Sequence, residues 1–258
     1  MRVLVCDNVS SKGVACLEAA PELDVVVVNG GLTDELLADA EAIIVRSATK
    51  VTPEVMAKAP KLRVVGRAGV GVDNVAVDHA TSQGIVVMNT PSGNTISTAE
   101  LTFSMMMALA RKIPQAHMSM KGGEWNRKAF AGTELSGKVL GICGMGRIGT
   151  QVARRAIAFG MRVLAYDPFL SLSKARELQV ELLEQEELFA RSDFITVHMP
   201  LTDQTRDMIN AETLAGMKDG VYLINCARGG IINETDLVAA VQSGKVAGAA
   251  MDVYEIEP

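Results

Sequence analysis

The sequence predicts an α/β fold of two doubly wound parallel-sheet domains. Two observations carry that prediction. Short runs rich in Val and Ile recur about 20 residues apart, and segments that open on Thr beside acids or Pro lie between them. Strand, helix and strand at this spacing give βαβ units, whose strands run parallel. Runs that are apolar throughout, without alternation, suit a sheet covered on both faces.

The first series is RVLVC (2–6), DVVVV (24–28), AIIVR (42–46), RVVGRAG (63–69) and IVVMN (85–89). Between its members, TDELLADA (33–40) and TPEVMAKA (52–59) each begin with a Thr able to cap a helix, followed by acids or Pro. The second series is KVLGICG (138–144), RVLAYD (162–167), FITVHMP (194–200), VYLINCA (221–227) and AGAAMDV (247–253), separated by helical segments such as 147–159 and 234–243. From Ser97 to Arg111 the chain reads as one helix, apolar on most sides, which is expected of a helix buried in a core or a subunit interface. KGGEWNRKAF (121–130), with the only Trp, reads as an exposed loop. Domains are expected over 1–90 and 91–258.

Bulk properties narrow the class. A chain of 258 residues, 48% of them hydrophobic, suffices for two modest cores. The formal net charge of −5 and the absence of a basic stripe argue against a nucleic-acid partner. No apolar run approaches the roughly 20 residues of a membrane span, and Met1 leads into a strand rather than a signal peptide. The four cysteines (Cys6, Cys16, Cys143, Cys226) form no C-x-x-C pair and are expected to be buried reduced thiols of a cytoplasmic protein. No metal site is expected.

The stretch from Gly137 to Pro168 carries the first chemistry. Gly144, Met145, Gly146, Arg147, Ile148 and Gly149 spell G-x-G-x-x-G after a strand and at the start of a helix, with a second strand ending at Asp167. That context makes a weak motif the Rossmann dinucleotide fingerprint. Gly144 allows the tight turn, Gly146 lets a pyrophosphate approach the backbone, and Gly149 lets helix and strand pack closely. Amides at the helix start, around Arg147 and Ile148, would donate to phosphate oxygens with the helix dipole behind them. Asp167 can accept from both adenosine-ribose hydroxyls and would repel a 2′-phosphate, which favours NAD over NADP.

A second site lies in LINCARGGIINETDL (223–237). Its strand ends at Asn225, so Cys226, Ala227 and Arg228 sit at the C-terminal sheet edge, where ligands bind in this architecture. Gly229 and Gly230 permit unusual backbone angles that would aim Arg228 inward. A guanidinium there forks onto a carboxylate and polarises a neighbouring carbonyl, as an α-hydroxy acid requires.

Together GRAGVGVDNV (66–75), NTPSGNT (89–95), GICGMGRIG (141–149), YDP (166–168), NCARGG (225–230) and MDVYEIEP (251–258) make the whole chain resemble the D-isomer-specific 2-hydroxyacid dehydrogenases. VRSATKVTPEV (45–55), WNRKAF (125–130) and GTELSGK (132–138) resemble members acting on a phosphorylated 2-hydroxy acid. The resemblance implies a flavodoxin-like substrate domain and a Rossmann NAD domain, with a small-molecule substrate in the cleft between them. It implies that Arg228 binds and polarises that substrate and that Glu257 pairs with a catalytic histidine. Asp252, Cys226 and Ala227 would lie near the nicotinamide. Val70 and Met199 stand where relatives place a Thr against NAD. Arg46, Ser47 and Gly69 match the substrate side, with Asn94 and Arg127 beside them.

In the resembled family the histidine lies beyond the Glu-Pro pair, followed by a helix that returns to the first domain, and neither falls within these residues. Of the three histidines here, His79 and His117 read as packing or surface, and His198 ends a strand. The expectation is therefore weak NAD binding and poor turnover by this chain alone, and a homodimer through the nucleotide domain. The alternatives are a different substrate, such as glycerate or glyoxylate/hydroxypyruvate, and a non-catalytic NAD-sensing or partner-binding module of the same fold.

Overall fold

The computed structural model describes residues 1–257. The chain divides into two compact units, Met1–Asn94 and Thr95 onward. The first unit alternates β1 (Arg2–Val5), α1 (Ser11–Glu18), β2 (Asp24–Val27), α2 (Asp34–Ala38), β3 (Ala42–Val45), α3 (Pro53–Ala57), β4 (Val64–Arg67), α4 (Val77–Ser82) and β5 (Val86–Asn89). Thr33 and Thr52 cap α2 and α3 as their sequence context requires, each side chain accepting from a backbone amide of the first turn. The five strands pair in parallel in the order β2-β1-β3-β4-β5. This is the flavodoxin-like order, with its switch point between β1 and β3. One face carries Leu4, Ile43 and Val65 against Leu37, Met56 and Ala80 of α2, α3 and α4. The other carries Val3, Val5 and Ala42 against Val14 and Leu17 of α1.

The second unit opens with α5 (Thr95–Ala110) and α6 (Ile113–Lys121). It continues through β6 (Val139–Cys143), α7 (Arg147–Ala158), β7 (Arg162–Tyr166), α8 (Leu172–Glu177), β8 (Glu181–Leu182), α9 (Gln185–Arg191) and β9 (Phe194–Val197). It closes with α10 (Ala211–Gly216), β10 (Val221–Asn225), α11 (Glu234–Ser243) and β11 (Val246–Met251). The parallel order β11-β10-β9-β6-β7-β8 is that of a Rossmann sheet, with the switch point between β6 and β9. Alternate residues of each strand feed two cores. Leu140 and Ile142 meet Phe103, Met106, Val152 and Ala156 from α5 and α7. Cys143, Ile195 and Leu223 meet Leu188, Leu214 and Leu237 from α9, α10 and α11. Covering on both faces is what the uninterrupted apolar strands require.

Two expectations need correction. The long helix spans Thr95–Ala110 rather than 97–111, and His117 lies in the separate helix α6. Lys112 adopts a left-handed conformation (φ 52°) that breaks the helix, and Pro114 suits the first turn of the next one. Second, Cys16 on α1 is exposed, whereas Cys6, Cys143 and Cys226 are buried, and all four are free thiols. On α5, Ala99, Phe103 and Met106 are buried, while Ile96 and Leu101 are exposed on this chain. The segment around Trp125 is an exposed loop as expected. Among the described residues no helix is long and apolar enough to cross a membrane.

Candidate functional site

The three glycines after β6 differ in what they make possible. Gly144 has φ +96°, and a Cβ there would lie 2.5 Å from the His198 carbonyl oxygen, so only glycine lets the loop pass the end of β9. A Cβ on Gly149 would run into the Gly144 carbonyl, so helix α7 touches the strand end backbone to backbone. Gly146 is the opposite case: nothing lies within 4 Å of where its Cβ would be. It caps α7 without a side-chain hydrogen bond, which leaves the first-turn amides near Arg147 and Ile148 for an outside acceptor. An open glycine face over uncapped helix amides fits a pyrophosphate.

Asp167, just beyond β7, ties this loop to the neighbouring strand. Its Oδ2 accepts from the Met145 amide at 2.7 Å and its Oδ1 from the Phe169 amide at 2.8 Å. Each oxygen keeps acceptor capacity for a ribose hydroxyl. The residues present therefore fit the adenosine and pyrophosphate portions of NAD. Met199 is half-buried and packs on the core beneath the β9 end.

At the end of β10 a buried polar side chain sets the next loop. Asn225, fully buried, donates from Nδ2 to the Arg228 carbonyl at 2.9 Å and accepts at Oδ1 from the Ala227 amide at 2.9 Å. In the sequence Asn225 reads only as the strand's last residue. The loop then turns back, and the Arg228 Nη1 donates to the Ala227 carbonyl at 2.6 Å. Of the two glycines that follow, only Gly230 takes a positive φ (+79°). Gly229 is needed for a different reason: a side chain there would collide with the Tyr254 carbonyl. The arginine loop and the segment after β11 are thus packed main chain against main chain.

That segment carries the two acids. The Asp252 amide donates to the Asn225 carbonyl at 2.9 Å. Burial pushes the Cys226 thiol pKa up, and the Asp252 charge adds to it against an opposing hydrogen bond with Thr102. The thiol stays protonated, with Sγ 3.5 Å from the Met105 sulfur. Glu257 is exposed and accepts from the Tyr254 amide at 2.9 Å. Hence Gly144, Gly146, Arg147, Ile148, Gly149, Asp167, Met199, Cys226, Ala227, Arg228 and Asp252 all lie at or just past the C-terminal ends of neighbouring strands.

In the first unit, Arg46 and Ser47 are exposed beyond β3, and Gly69 and Val70 follow β4. The Gly69 carbonyl accepts from the Thr90 amide at 2.9 Å, and the Val70 carbonyl from Asn89 Nδ2 at 2.6 Å. Asn94 is the last residue of this unit, and Arg127 sits in the exposed loop after α6. Neither stands at a strand end with the others. Sequence reasoning also missed Asp7 and Asn74, whose side chains hold the 46–49 loop. The signal available for Asp7 was an acid directly after the first strand run.

The histidines are placed unevenly. His117 is exposed on α6 and His79 is half-buried on α4. His198 sits beside Thr196, whose Oγ1 is 3.0 Å from Nε2, while Nδ1 is shielded from solvent. Desolvation lowers its pKa to about 4.

Comparison with known proteins agrees with this geometry. Residues 103–258 match the family described as D-isomer specific 2-hydroxyacid dehydrogenase, NAD binding domain. The D-3-phosphoglycerate dehydrogenase of Bacillus subtilis (strain 168) is 51% identical over 257 residues, covering 100% of this chain and 49% of the relative. That of Rattus norvegicus is 56% identical over 228 residues, 87% of this chain and 43% of the relative. The chain therefore spans about half the length of the curated relatives it matches. Among solved structures, a D-lactate dehydrogenase from Aquifex aeolicus complexed with NAD and lactic acid superposes with a TM-score of 0.90 at 34% identity, covering 98% of this chain and 77% of that one. A glyoxylate reductase from Paecilomyes thermophila gives 0.90 at 32% identity, covering 100% and 82%.

Proposed function

We propose that this chain, which belongs to the D-isomer specific 2-hydroxyacid dehydrogenase family, forms the cofactor-binding unit and part of the substrate-binding unit of an NAD-dependent D-3-phosphoglycerate dehydrogenase. The reaction would convert D-3-phosphoglycerate to 3-phosphohydroxypyruvate, the opening step of serine biosynthesis. The observation that carries the reading is the Asn225 clamp. It fixes the backbone that presents Arg228 at the same sheet edge as the open Gly146 cradle and Asp167. Identities of 51% and 56% to enzymes named for this substrate, against 34% and 32% to the lactate and glyoxylate enzymes, support phosphoglycerate over other hydroxy acids.

The division of labour follows from the residues. Amides at the start of α7 bind the pyrophosphate, and Asp167 accepts from the ribose hydroxyls and disfavours a 2′-phosphate. Bound NAD supplies the hydride acceptor. Arg228 forks onto the substrate carboxylate and donates to the reacting oxygen as it gains carbonyl character. Asp252, at the end of the same strand pair, contributes negative charge on the Cys226 side. Arg46 and Ser47 offer a cation and a hydroxyl suited to the substrate phosphate. Val70, Met199, Cys226 and Ala227 are assigned to apolar or backbone contacts with the cofactor, Gly69, Asn94 and Arg127 to the substrate side, and Glu257 to support of the base.

A general base works best with a pKa near the operating pH. His198, at about 4, is a poor one, and His79 and His117 lie on helices away from the strand ends. The 258-residue chain by itself should bind NAD weakly and oxidise D-3-phosphoglycerate poorly. We also place a homodimer contact on the second unit, where Ile96, Leu101, Ile113, Met118 and Met120 of α5 and α6 are exposed.

Calorimetric titration tests the cofactor assignment. NAD should bind at least tenfold more tightly than NADP, by the charge argument at Asp167. Equal affinity would sink it. NADH formation from D-3-phosphoglycerate at an ordinary dehydrogenase rate would sink the claim of poor turnover.

A further inference from the structure

We propose that Asp7 and Asn74 are positioning residues for the substrate phosphate, acting by locking the backbone of the 46–49 loop. This rests on the reading above that Arg46 and Ser47 face that phosphate.

The lock lies at the switch point of the first sheet. From β1 the chain leaves toward α1 on one face, and from β3 it leaves toward α3 on the other, so the two loops part over a crevice. Asp7 spans that gap from the β1 side. It and Asn8 both take left-handed backbone angles, φ 61° and 51°. Asp and Asn tolerate that region better than other non-glycine residues. The Asp7 Oδ2 accepts from the Arg46 amide at 2.7 Å, and both carboxylate oxygens accept from the Thr49 amide at 3.0 and 3.1 Å. The Thr49 hydroxyl donates to Oδ1 at 2.6 Å.

Asn74 holds the same loop through its carbonyls. Its Nδ2 donates to the Arg46 carbonyl at 2.9 Å and to the Thr49 carbonyl at 2.6 Å. Between them, the two side chains bind both the amides and the carbonyls at the two ends of the loop. Arg46, Ser47 and Ala48 remain exposed on it, and of these only Arg46 and Ser47 carry polar side chains. Charge-assisted bonds of this kind are stronger than neutral ones. Burial works to raise the Asp7 pKa, yet the donors of Thr49, Arg46 and Ala48 outweigh it and hold the carboxyl below its usual value. The carboxylate form that makes these bonds therefore persists at neutral pH.

A loop fixed in this way presents its cation and hydroxyl without an ordering cost at binding, and misplacement by about 1 Å can cost up to a hundredfold in a positioned site. The test uses the 258-residue chain with NAD present, titrated calorimetrically with D-3-phosphoglycerate as probe and unphosphorylated D-glycerate as control. Asp7→Ala and Asn74→Ala should each weaken D-3-phosphoglycerate about tenfold or more, change D-glycerate and NAD affinity less than about twofold, and speed amide exchange at Arg46 and Thr49. Asp7→Asn, which keeps the shape and loses the charge, should lie between Asp7→Ala and the parent. Arg46→Ala is the reference for the underlying reading. If it weakens the phosphorylated probe while both Asp7→Ala and Asn74→Ala bind as the parent does, the positioning role is overturned and the phosphate loop stands. If Arg46→Ala has no effect, or the parent chain shows no preference for the phosphorylated probe, both are overturned. Should Asp7→Ala fail to fold, Asn74→Ala and the exchange rates decide alone.

Discussion

Three glycines within six positions do three different jobs, and this makes a sharp test at the scale of single residues. Gly149→Ala places a methyl against the Gly144 carbonyl, which is main chain and cannot swing aside, with Ile142 Cγ2 beside it. Overpacking of this kind costs about 1–3 kcal/mol or more, read from the urea midpoint. Gly146→Val meets open space and should cost only about 1 kcal/mol, the loss of a glycine N-cap, while NAD affinity falls at least tenfold because the side chain occupies the phosphate's approach. His198 gives a second test. Its folded pKa of about 4 lies below the ordinary 6.5, so on acidification the unfolded chain takes up the proton first. Stability is unaffected above about pH 6.5 and falls as pH drops from there toward 4, by at most about 1.4 kcal/mol per pH unit. Urea midpoints for the parent should show that slope, and His198→Asn should lack its share of it. The sequence revealed the glycine pattern because G-x-G-x-x-G has a single backbone solution. It did not reveal Asn225 or Asp7, because each acts through hydrogen bonds to a loop whose path depends on tertiary structure.

Among the elements, strands were the most legible. Each of the ten apolar runs coincides with a strand, β1–β7 and β9–β11, although the edge strands β2 and β5 leave Val27, Val86 and Met88 exposed. The exception, β8, is two residues long, Glu181–Leu182, and carries no such run. Helix boundaries were less legible. The helix read over 97–111 spans Thr95–Ala110, and nothing local to Lys112 marks a left-handed residue. The Gly229 constraint was hidden for a related reason, since the atom that demands it, the Tyr254 carbonyl, comes 25 residues later. The loop after β10 supports its own prediction. Asn225→Ala leaves the Ala227 amide and the Arg228 carbonyl without the partner they have now. Each unmet buried group costs about 1–3 kcal/mol. Denaturant unfolding should register that loss, and any substrate-analogue affinity that depends on Arg228 should fall with it, while NAD binding at the glycine loop changes little.

For the whole molecule, the consequence of two units with separate cores is that a ligand of one need not stabilise the other. NAD at about one hundred times its dissociation constant adds about 2.7 kcal/mol to the element that binds it. Hydrogen exchange should show that protection from Thr95 onward, on the strands around Gly144 and Asp167, and little change in the sheet of Met1–Asn94. Equal protection of both sheets would mean that they open as a single body.

The uneven burial of the thiols turns this into something that can be counted. Cys6 is enclosed in the first unit with its pKa raised to about 11, and Cys143 and Cys226 are enclosed in the second, Cys143 at about 12. Only Cys16 is exposed. A slow alkylating reagent should label one site in the native chain and four in the unfolded one. Mass spectrometry of the intermediate adducts would then say which half of the molecule had opened first: Cys6 timestamps one sheet, and the pair at 143 and 226 the other.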